Sequence, residues 1–140
     1  MLTGREACKI FFSKSFTAQQ RIVFFRQLAV ILQSGLPLLR AIGLLRSRLD
    51  GDLALVCYRL QQLLTRGSTL SGAMAQEPDF FPTLAVKLVA AGEVSGQLGA
   101  VLEQLAAYYE EQERLRRFVA KAAAYPLLLL AAAACVLLFF

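Results

Sequence analysis

Apolar residues recur at intervals of three and four along most of this chain, and Gly, Pro and Ser-Gly pairs interrupt the pattern. This spacing predicts amphipathic helices joined by short corners. No stretch alternates between apolar and polar residues, and no Asn-Gly hairpin signal occurs, so strands are not expected. The predicted fold class is all-α, a bundle of about six helices.

Three helices are predicted in the first half of the chain. A capping box begins at Thr17, and Gly35 ends the helix that follows. Pro37 opens the second helix, since Pro suits the first helical turn. Asp52 is the expected N-cap of the third, which Gly67 ends. The predicted ranges are 17–33, 37–48 and 52–66.

Three further helices are predicted in the second half. Ser68 is expected to cap a short fourth helix, and Pro82 to open the fifth. Gly92 is expected to end the fifth helix, and Ser95 to cap the sixth. Glu93 stands between them, where an acid is well placed just before the N-terminus of the next helix.

The sequences before two of these corners are weakly similar. Residues 28–32 precede Ser34-Gly35, much as residues 84–88 precede Ala91-Gly92. The bundle could consist of two related three-helix halves. Independent use of Gly at helix ends explains this similarity about as well.

The C-terminal stretch 122–140 contains no charged residue. As a helix, it would span about 28 Å, close to the hydrocarbon thickness of a bilayer. Core helices seldom lack a polar face over this length, so a transmembrane helix is predicted, with a kink at Pro126. The run reaches the last residue, which suggests a truncated segment or a tail anchor.

These patterns divide the chain into an N-terminal arm at 1–16, a helical bundle at 17–121 and a membrane segment at 122–140. The start of the chain is charged and lacks the apolar core of a signal peptide. By the positive-inside rule, four basic residues before the membrane segment place the bundle in the cytoplasm. They are Arg114, Arg116, Arg117 and Lys121.

Composition narrows the function classes. Apolar residues make up 57% of the chain and charged residues 18%, which excludes a disordered chain. The net charge of +5 is spread over predicted helix faces rather than gathered in a basic tract with aromatics. Nucleic-acid binding is therefore not expected, whereas the basic residues near the membrane segment also suit anionic lipid headgroups.

The sequence offers little for catalysis. It has no His, and Cys8, Cys57 and Cys135 are too far apart for a zinc pattern. No Gly-rich phosphate loop follows a strand. No catalytic residue or cofactor site is predicted, and an enzyme is not expected. A bound calcium or other divalent cation has only scattered carboxylate candidates, with Glu93 first, then Glu103 and Glu110.

Seven landmarks in a fixed order resemble the type II secretion F domain, and the resemblance covers about residues 16 to 140. This is the cytoplasmic domain of the inner-membrane platform protein of type II secretion, type IV pilus and competence pseudopilus systems. The landmarks are Phe25-Arg26-Gln27-Leu28-Ala29, Ser34-Gly35-Leu36-Pro37-Leu38-Leu39, Gly67-Ser68-Thr69-Leu70-Ser71, Phe81-Pro82, Gly92-Glu93-Val94-Ser95-Gly96-Gln97-Leu98, Tyr108-Tyr109-Glu110 and Tyr125-Pro126.

The resemblance implies a six-helix cytoplasmic bundle followed by membrane helices, without enzymatic activity. It implies a platform that couples a cytoplasmic ATPase to the insertion of pilin-like subunits, together with other inner-membrane assembly proteins, and that forms a homo-oligomer. The chain departs from the family in lacking the longer N-terminal region of the secretion branch and a second cytoplasmic bundle. The family-motif residues are Phe25, Gln27, Leu28, Gly35, Pro37, Leu38, Gly67, Leu70, Gly92, Glu93, Gly96, Leu98, Tyr125 and Pro126.

Three functions follow as hypotheses. The first is an assembly platform, and the second is a membrane-anchored helical protein-binding module unrelated to pili. The third is an ion-binding or nucleic-acid-binding module. Exposed arginines could meet an acidic surface of the ATPase or of a second copy, although they could equally serve solubility. They are Arg40, Arg46, Arg48, Arg59 and Arg66. Glu93 is the best single candidate for a polar contact, whether internal, between subunits or to a cation.

Overall fold

A computed structural model describes residues 16–140, so the predicted N-terminal arm lies outside the described residues except for Phe16. Over that range, the chain forms six α-helices and no strand, which confirms the all-α prediction. The helices are α1 (Ala18–Gln33), α2 (Leu38–Arg48), α3 (Gly51–Thr65), α4 (Leu70–Ala75), α5 (Thr83–Ser95) and α6 (Leu98–Phe139).

Local signals set several helix ends as predicted. Thr17 Oγ1 accepts a hydrogen bond from the Gln20 amide at 3.3 Å, and the Gln20 side chain accepts from the Thr17 amide at 2.9 Å. This is the predicted capping box. Gly35 and Gly67 have positive φ angles of 88° and 93°, as expected for glycines that follow a helix.

Two predicted N-caps are wrong by one or two residues. Asp50 precedes α3, and Asp52 lies in the first turn, where its charge still faces the positive end of the helix. Thr69 caps α4, since its Oγ1 accepts from the Gly72 amide at 3.1 Å. Ser68 instead completes the end of α3, where its amide donates to the Leu63 carbonyl at 3.1 Å.

The six helices enclose one apolar core. α1 packs along α6, α2 packs against α3, and α4 packs against α5, while α5 also contacts α6. Phe24 and Phe25 of α1 are fully buried and meet Phe80 and Phe81 of the α4–α5 connection edge to face. The division into two related three-helix halves stays a prediction.

The last helix extends well beyond this core. α6 has 42 residues and is about 63 Å long. Its buried residues are Leu102, Leu105, Ala106 and Tyr109, and every residue from Arg114 onward is exposed. The helix contains Pro126 and includes an 18-residue stretch of mean hydropathy 2.3. It is therefore long and apolar enough to cross a membrane. The kink at Pro126 stays a prediction.

Candidate functional site

The corner between α5 and α6 is built differently from the prediction. Gly92 does not end α5; it is buried inside the helix, which continues to Ser95. Gly96 takes the left-handed conformation with φ of 72° and ends the helix. The Gln97 amide then donates to the Gly92 carbonyl at 3.0 Å. The terminating role assigned to Gly92 therefore belongs to Gly96.

Gly92 is needed for a close approach of two helices. A Cβ atom at this position would lie 2.9 Å from Val101 Cγ2 and 3.4 Å from Leu98 Cα. The backbone of α5 therefore touches α6 where a larger residue would collide. Ser95 is not the N-cap of α6, since Gln97 holds that position and the Ser95 hydroxyl donates to the Gly92 carbonyl at 3.3 Å.

Glu93 binds the N-terminus of a different helix from the one expected. One carboxylate oxygen accepts from the Leu70 amide at 2.5 Å, and the other accepts from the Ser71 hydroxyl at 2.6 Å. The Ser71 amide also donates to Glu93, at 3.3 Å. These groups begin α4, so Glu93 places its charge against the positive end of that helix. Its contact is internal, and it fastens α4 to α5.

The carboxylates considered for a cation do not form one site. Hydrogen-bond donors already face both oxygens of Glu93, an arrangement that disfavours a cation there. Glu103 accepts from the Gln33 side chain at 2.8 Å, and Glu110 binds Arg26 at 2.7 Å. Within residues 16–140, no three His, Cys, Asp or Glu side chains come together in a way that could hold a metal ion.

Three ion pairs involve the outer part of α6. Arg26 of α1 pairs with Glu110, and this hydrogen bond raises the pKa of the Arg26 guanidinium above its usual value. The helical spacing predicts Glu110–Arg114 and Glu113–Arg117 pairs. The second pair forms at 3.2 Å, whereas Arg114 pairs with Glu111 at 3.3 Å because Glu110 is taken by α1.

The arginines considered for partner contact divide into two groups. Arg59 pairs with Glu77 at 2.9 Å, and Arg46 lies 4.8 Å from the ring centroid of Tyr58. Both arginines therefore contact other residues of the bundle. The other three are exposed and have no ion pair with another residue of the described range. They are Arg40, Arg48 and Arg66.

Arg21 is a structural residue that the sequence did not reveal. Its Nε donates to the Phe80 carbonyl at 2.6 Å, and Nη2 donates to the Asp79 carbonyl at 3.2 Å. It thus fastens α1 to the α4–α5 connection, 58 residues or more away in sequence. No local sequence pattern predicts a contact between residues so far apart in the chain. Burial raises the pKa of Cys57 to about 12, so this thiol is inert at neutral pH.

A family model described as type II secretion system (T2SS), protein F, matches residues 24–140. The chain belongs to this family. Among curated relatives, it is 40% identical over 96 residues to the type IV pilus assembly protein PilC of Myxococcus xanthus, covering 68% of this chain and 23% of that protein. It is 46% identical over 90 residues to the type 4 fimbrial assembly protein PilC of Pseudomonas putida, covering 64% and 22%.

A secretion relative matches over a similar stretch. The type II secretion system protein F of Vibrio cholerae is 37% identical over 108 residues, covering 75% of this chain and 26% of that protein. The chain therefore spans about a quarter of the length of the curated relatives that it matches. Two of these relatives are named for type IV pilus or fimbrial assembly and one for type II secretion.

The family-motif residues named in the sequence analysis are mainly structural. Phe25, Leu28 and Leu70 are fully buried, and Phe25 stacks on Tyr109 with ring centroids 5.7 Å apart. Leu38 and Leu98 pack partly buried against the core. The Oε1 atom of Gln27 is buried without a hydrogen-bond partner among the described residues. The remaining positions are Pro37, directly before α2, and Tyr125 and Pro126, exposed on the outer part of α6.

Proposed function

We propose that this chain is part of an inner-membrane platform that helps to assemble type II secretion pseudopili or type IV pili. Residues 17–121 would form a cytoplasmic domain and residues 122–140 a membrane segment. The observation that carries the proposal is the family match over 24–140 together with a single helix that leaves the bundle as an apolar segment. The role proposed is mechanical rather than catalytic.

The charge distribution along α6 supports the orientation. The last acidic residue is Glu113, and the four charged residues after it are all basic. Basic residues next to a membrane segment are retained on the cytoplasmic side. The bundle would therefore face the cytoplasm, where an ATPase could reach it.

The continuity of α6 supports a relay of motion. Its first three turns line the bundle core through Leu102, Leu105 and Tyr109, and the same helix then continues into the apolar segment. A force applied to the bundle would pass along the axis of a continuous helix into the membrane. In the proposed mechanism, ATPase motion reaches pilin-like subunits by this route, with the help of other inner-membrane assembly proteins.

Three exposed arginines, two in α2 and one directly after α3, are the proposed contact surface. Arg40, Arg48 and Arg66 have no ion pair to break within residues 16–140, so an acidic partner could bind them at low cost. The partner would be the ATPase or a second platform copy in a homo-oligomer. Nucleic acid is not a proposed partner.

The test is binding of the intact platform protein to the ATPase of its own system. Reversal of each exposed arginine to Glu should weaken the complex about fivefold or more, because like charges then face each other. Lys87→Glu is the matched control, since Lys87 is exposed on α5, which packs against α4 and α6. Equal binding by all four variants would remove this surface from the proposal, and no binding by the wild type would remove the ATPase.

A further inference from the structure

A groove separates the start of α1 from the outer part of α6. Its volume is about 450 Å3. Gln19 and Ile22 line it from α1, and the α6 side includes a basic and aromatic stripe. That stripe consists of Arg114, Arg117, Phe118 and Lys121.

The stripe follows from helical spacing. Arg114, Arg117 and Lys121 are separated by three and four residues, so they lie on one face of the helix. Phe118 lies beside them and is exposed. Arg116, one residue from Arg117, points away from this face and does not line the groove. The helix thus offers one basic residue inside the groove and one outside it at almost the same height.

Both acidic residues that line the groove already form ion pairs. Glu110 pairs with Arg26 at 2.7 Å, and Glu113 pairs with Arg117 at 3.2 Å. Both lie at the end nearer the bundle. Lys121 lies at the other end and forms no hydrogen bond or ion pair with another residue of the described range. The groove is therefore basic at the end that faces the apolar segment.

The height of the groove matches a lipid headgroup. Lys121 directly precedes the uncharged stretch that starts at residue 122, and headgroups occupy the first ~5–8 Å outside the hydrocarbon core. At a rise of about 1.5 Å per residue, Arg117, Phe118 and Lys121 fall within or next to that layer. A phosphate can bind there between Lys121 and the Arg117 Nη atoms, since Glu113 contacts Arg117 through Nε, while Phe118 contacts an apolar part of the same molecule.

We propose that this groove binds the phosphate headgroup of an anionic phospholipid, and this inference rests on the proposed membrane insertion of α6. The lipid would bridge α1 and α6 where the bundle meets the membrane. It would hold the bundle at a fixed height and tilt over the bilayer.

The test uses the full chain in detergent, titrated separately with phosphatidylglycerol, phosphatidylcholine and inorganic phosphate. Phosphatidylglycerol is expected to raise the melting temperature and to remain bound in native mass spectrometry, whereas the other two have no effect. A shift with inorganic phosphate alone would overturn the proposal in favour of a free-anion site. Equal shifts with both lipids would overturn it in favour of general solubilisation.

The variants locate the site. Arg117→Gln and Lys121→Gln should each weaken phosphatidylglycerol binding about fivefold, since one cation near the surface contributes about that much. Arg116→Gln should stay within about twofold, because Arg116 lies outside the groove and would not contact the phosphate. Lys121→Gln breaks no ion pair with a described residue, so loss of folding cannot explain its effect. Equal weakening by all three would overturn the groove in favour of diffuse surface attraction.

Two controls separate this inference from other failures. Maleimide labelling of the exposed Cys135 should be blocked in lipid nanodiscs if α6 inserts. Labelling there would overturn the proposed membrane segment itself, whereas protection without a phosphatidylglycerol preference would overturn only the lipid site. If Arg117→Gln instead weakens capture of an acidic partner protein while lipid has no effect, the groove is a protein site and the proposal fails.

Discussion

The two parts of α6 share one backbone and differ in what surrounds them. Residues 98–109 bury four side chains against the bundle, and residues 110–139 bury none. Both parts are rich in Leu and Ala, so helix propensity does not separate them. The inner part is amphipathic and is stabilised by α1 and α5, whereas the outer part becomes apolar on all sides. The same helix therefore packs against a protein core along its inner part and is apolar enough to cross a membrane along its outer part.

Truncating one Leu in each part of α6 is expected to give the largest difference in stability. Leu105 is 1% exposed and Leu115 is 54% exposed. Leu105→Ala should cost about 2–5 kcal/mol because it leaves a cavity in the core, whereas Leu115→Ala should change stability by less than about 0.5 kcal/mol. Thermal unfolding of the chain in detergent, followed by circular dichroism, measures both. Similar losses would mean that the outer part packs against the bundle after all.

The contact between α5 and the inner part of α6 is expected to give the next largest effect on stability. Gly92→Val should destabilise the bundle by about 1–3 kcal/mol, since the new side chain would overlap Val101. Gly99→Ala is the matched control, because its Cβ would meet Gln33 Cγ at an ordinary 3.5 Å. Melting of the double variant Gly92→Ala/Val101→Ala closer to the wild type than Gly92→Ala alone would confirm the collision. An unchanged melting temperature for Gly92→Val would refute the close approach.

Glu93 tests whether α4 is held by the same corner. Glu93→Gln should cost about 1–2 kcal/mol, because a neutral amide weakens the bonds to the start of α4 and removes the charge from its positive end. Glu103→Gln provides the control, since Glu103 is exposed and bonds only the Gln33 side chain among described residues. Equal, small losses in the two variants would show that Glu93 is an ordinary surface acid. Pilus or pseudopilus assembly by the intact protein should follow the stability loss.

The smallest effect on stability is expected at the boundary between the inner and outer parts of α6. Arg26 and Glu110 are 39% and 45% exposed, so Arg26→Gln should cost less than about 1 kcal/mol. A double-mutant cycle with Glu110→Gln isolates the pair, and its coupling should shrink as salt is added. A coupling that is large and independent of salt would place this pair within the buried region.

Local chemistry explains why much of the fold could be predicted. The Thr17 capping box and the glycines at 35 and 67 act within a few residues, so the sequence specifies them directly. The α5–α6 corner shows the limit. Gly92 and Gly96 both suit a helix end, but Gly96 ends α5, whereas Gly92 allows a short distance between α5 and Val101. That distance depends on how two helices pack.

The candidate site was less predictable for the same reason. Glu93 makes polar contacts, but its partners Leu70 and Ser71 lie 22 or 23 residues earlier in the chain. Arg21 and Arg26 bind atoms 58 to 84 residues away. No spacing rule covers such separations, because packing brings these atoms together. The predicted pair Glu110–Arg114 failed through the same kind of distant competition.

The pairing of α1 with α6 has a consequence during synthesis. α1 is apolar on most sides and ends at Gln33, but its main partner on α6 is complete only at Tyr109. At 5–20 residues per second, translation of the intervening chain takes about 4–15 s. Throughout that interval, the nascent chain exposes an apolar helix that cannot yet close its most distant contacts. Ribosome-associated chaperones would therefore encounter α1 before the bundle exists.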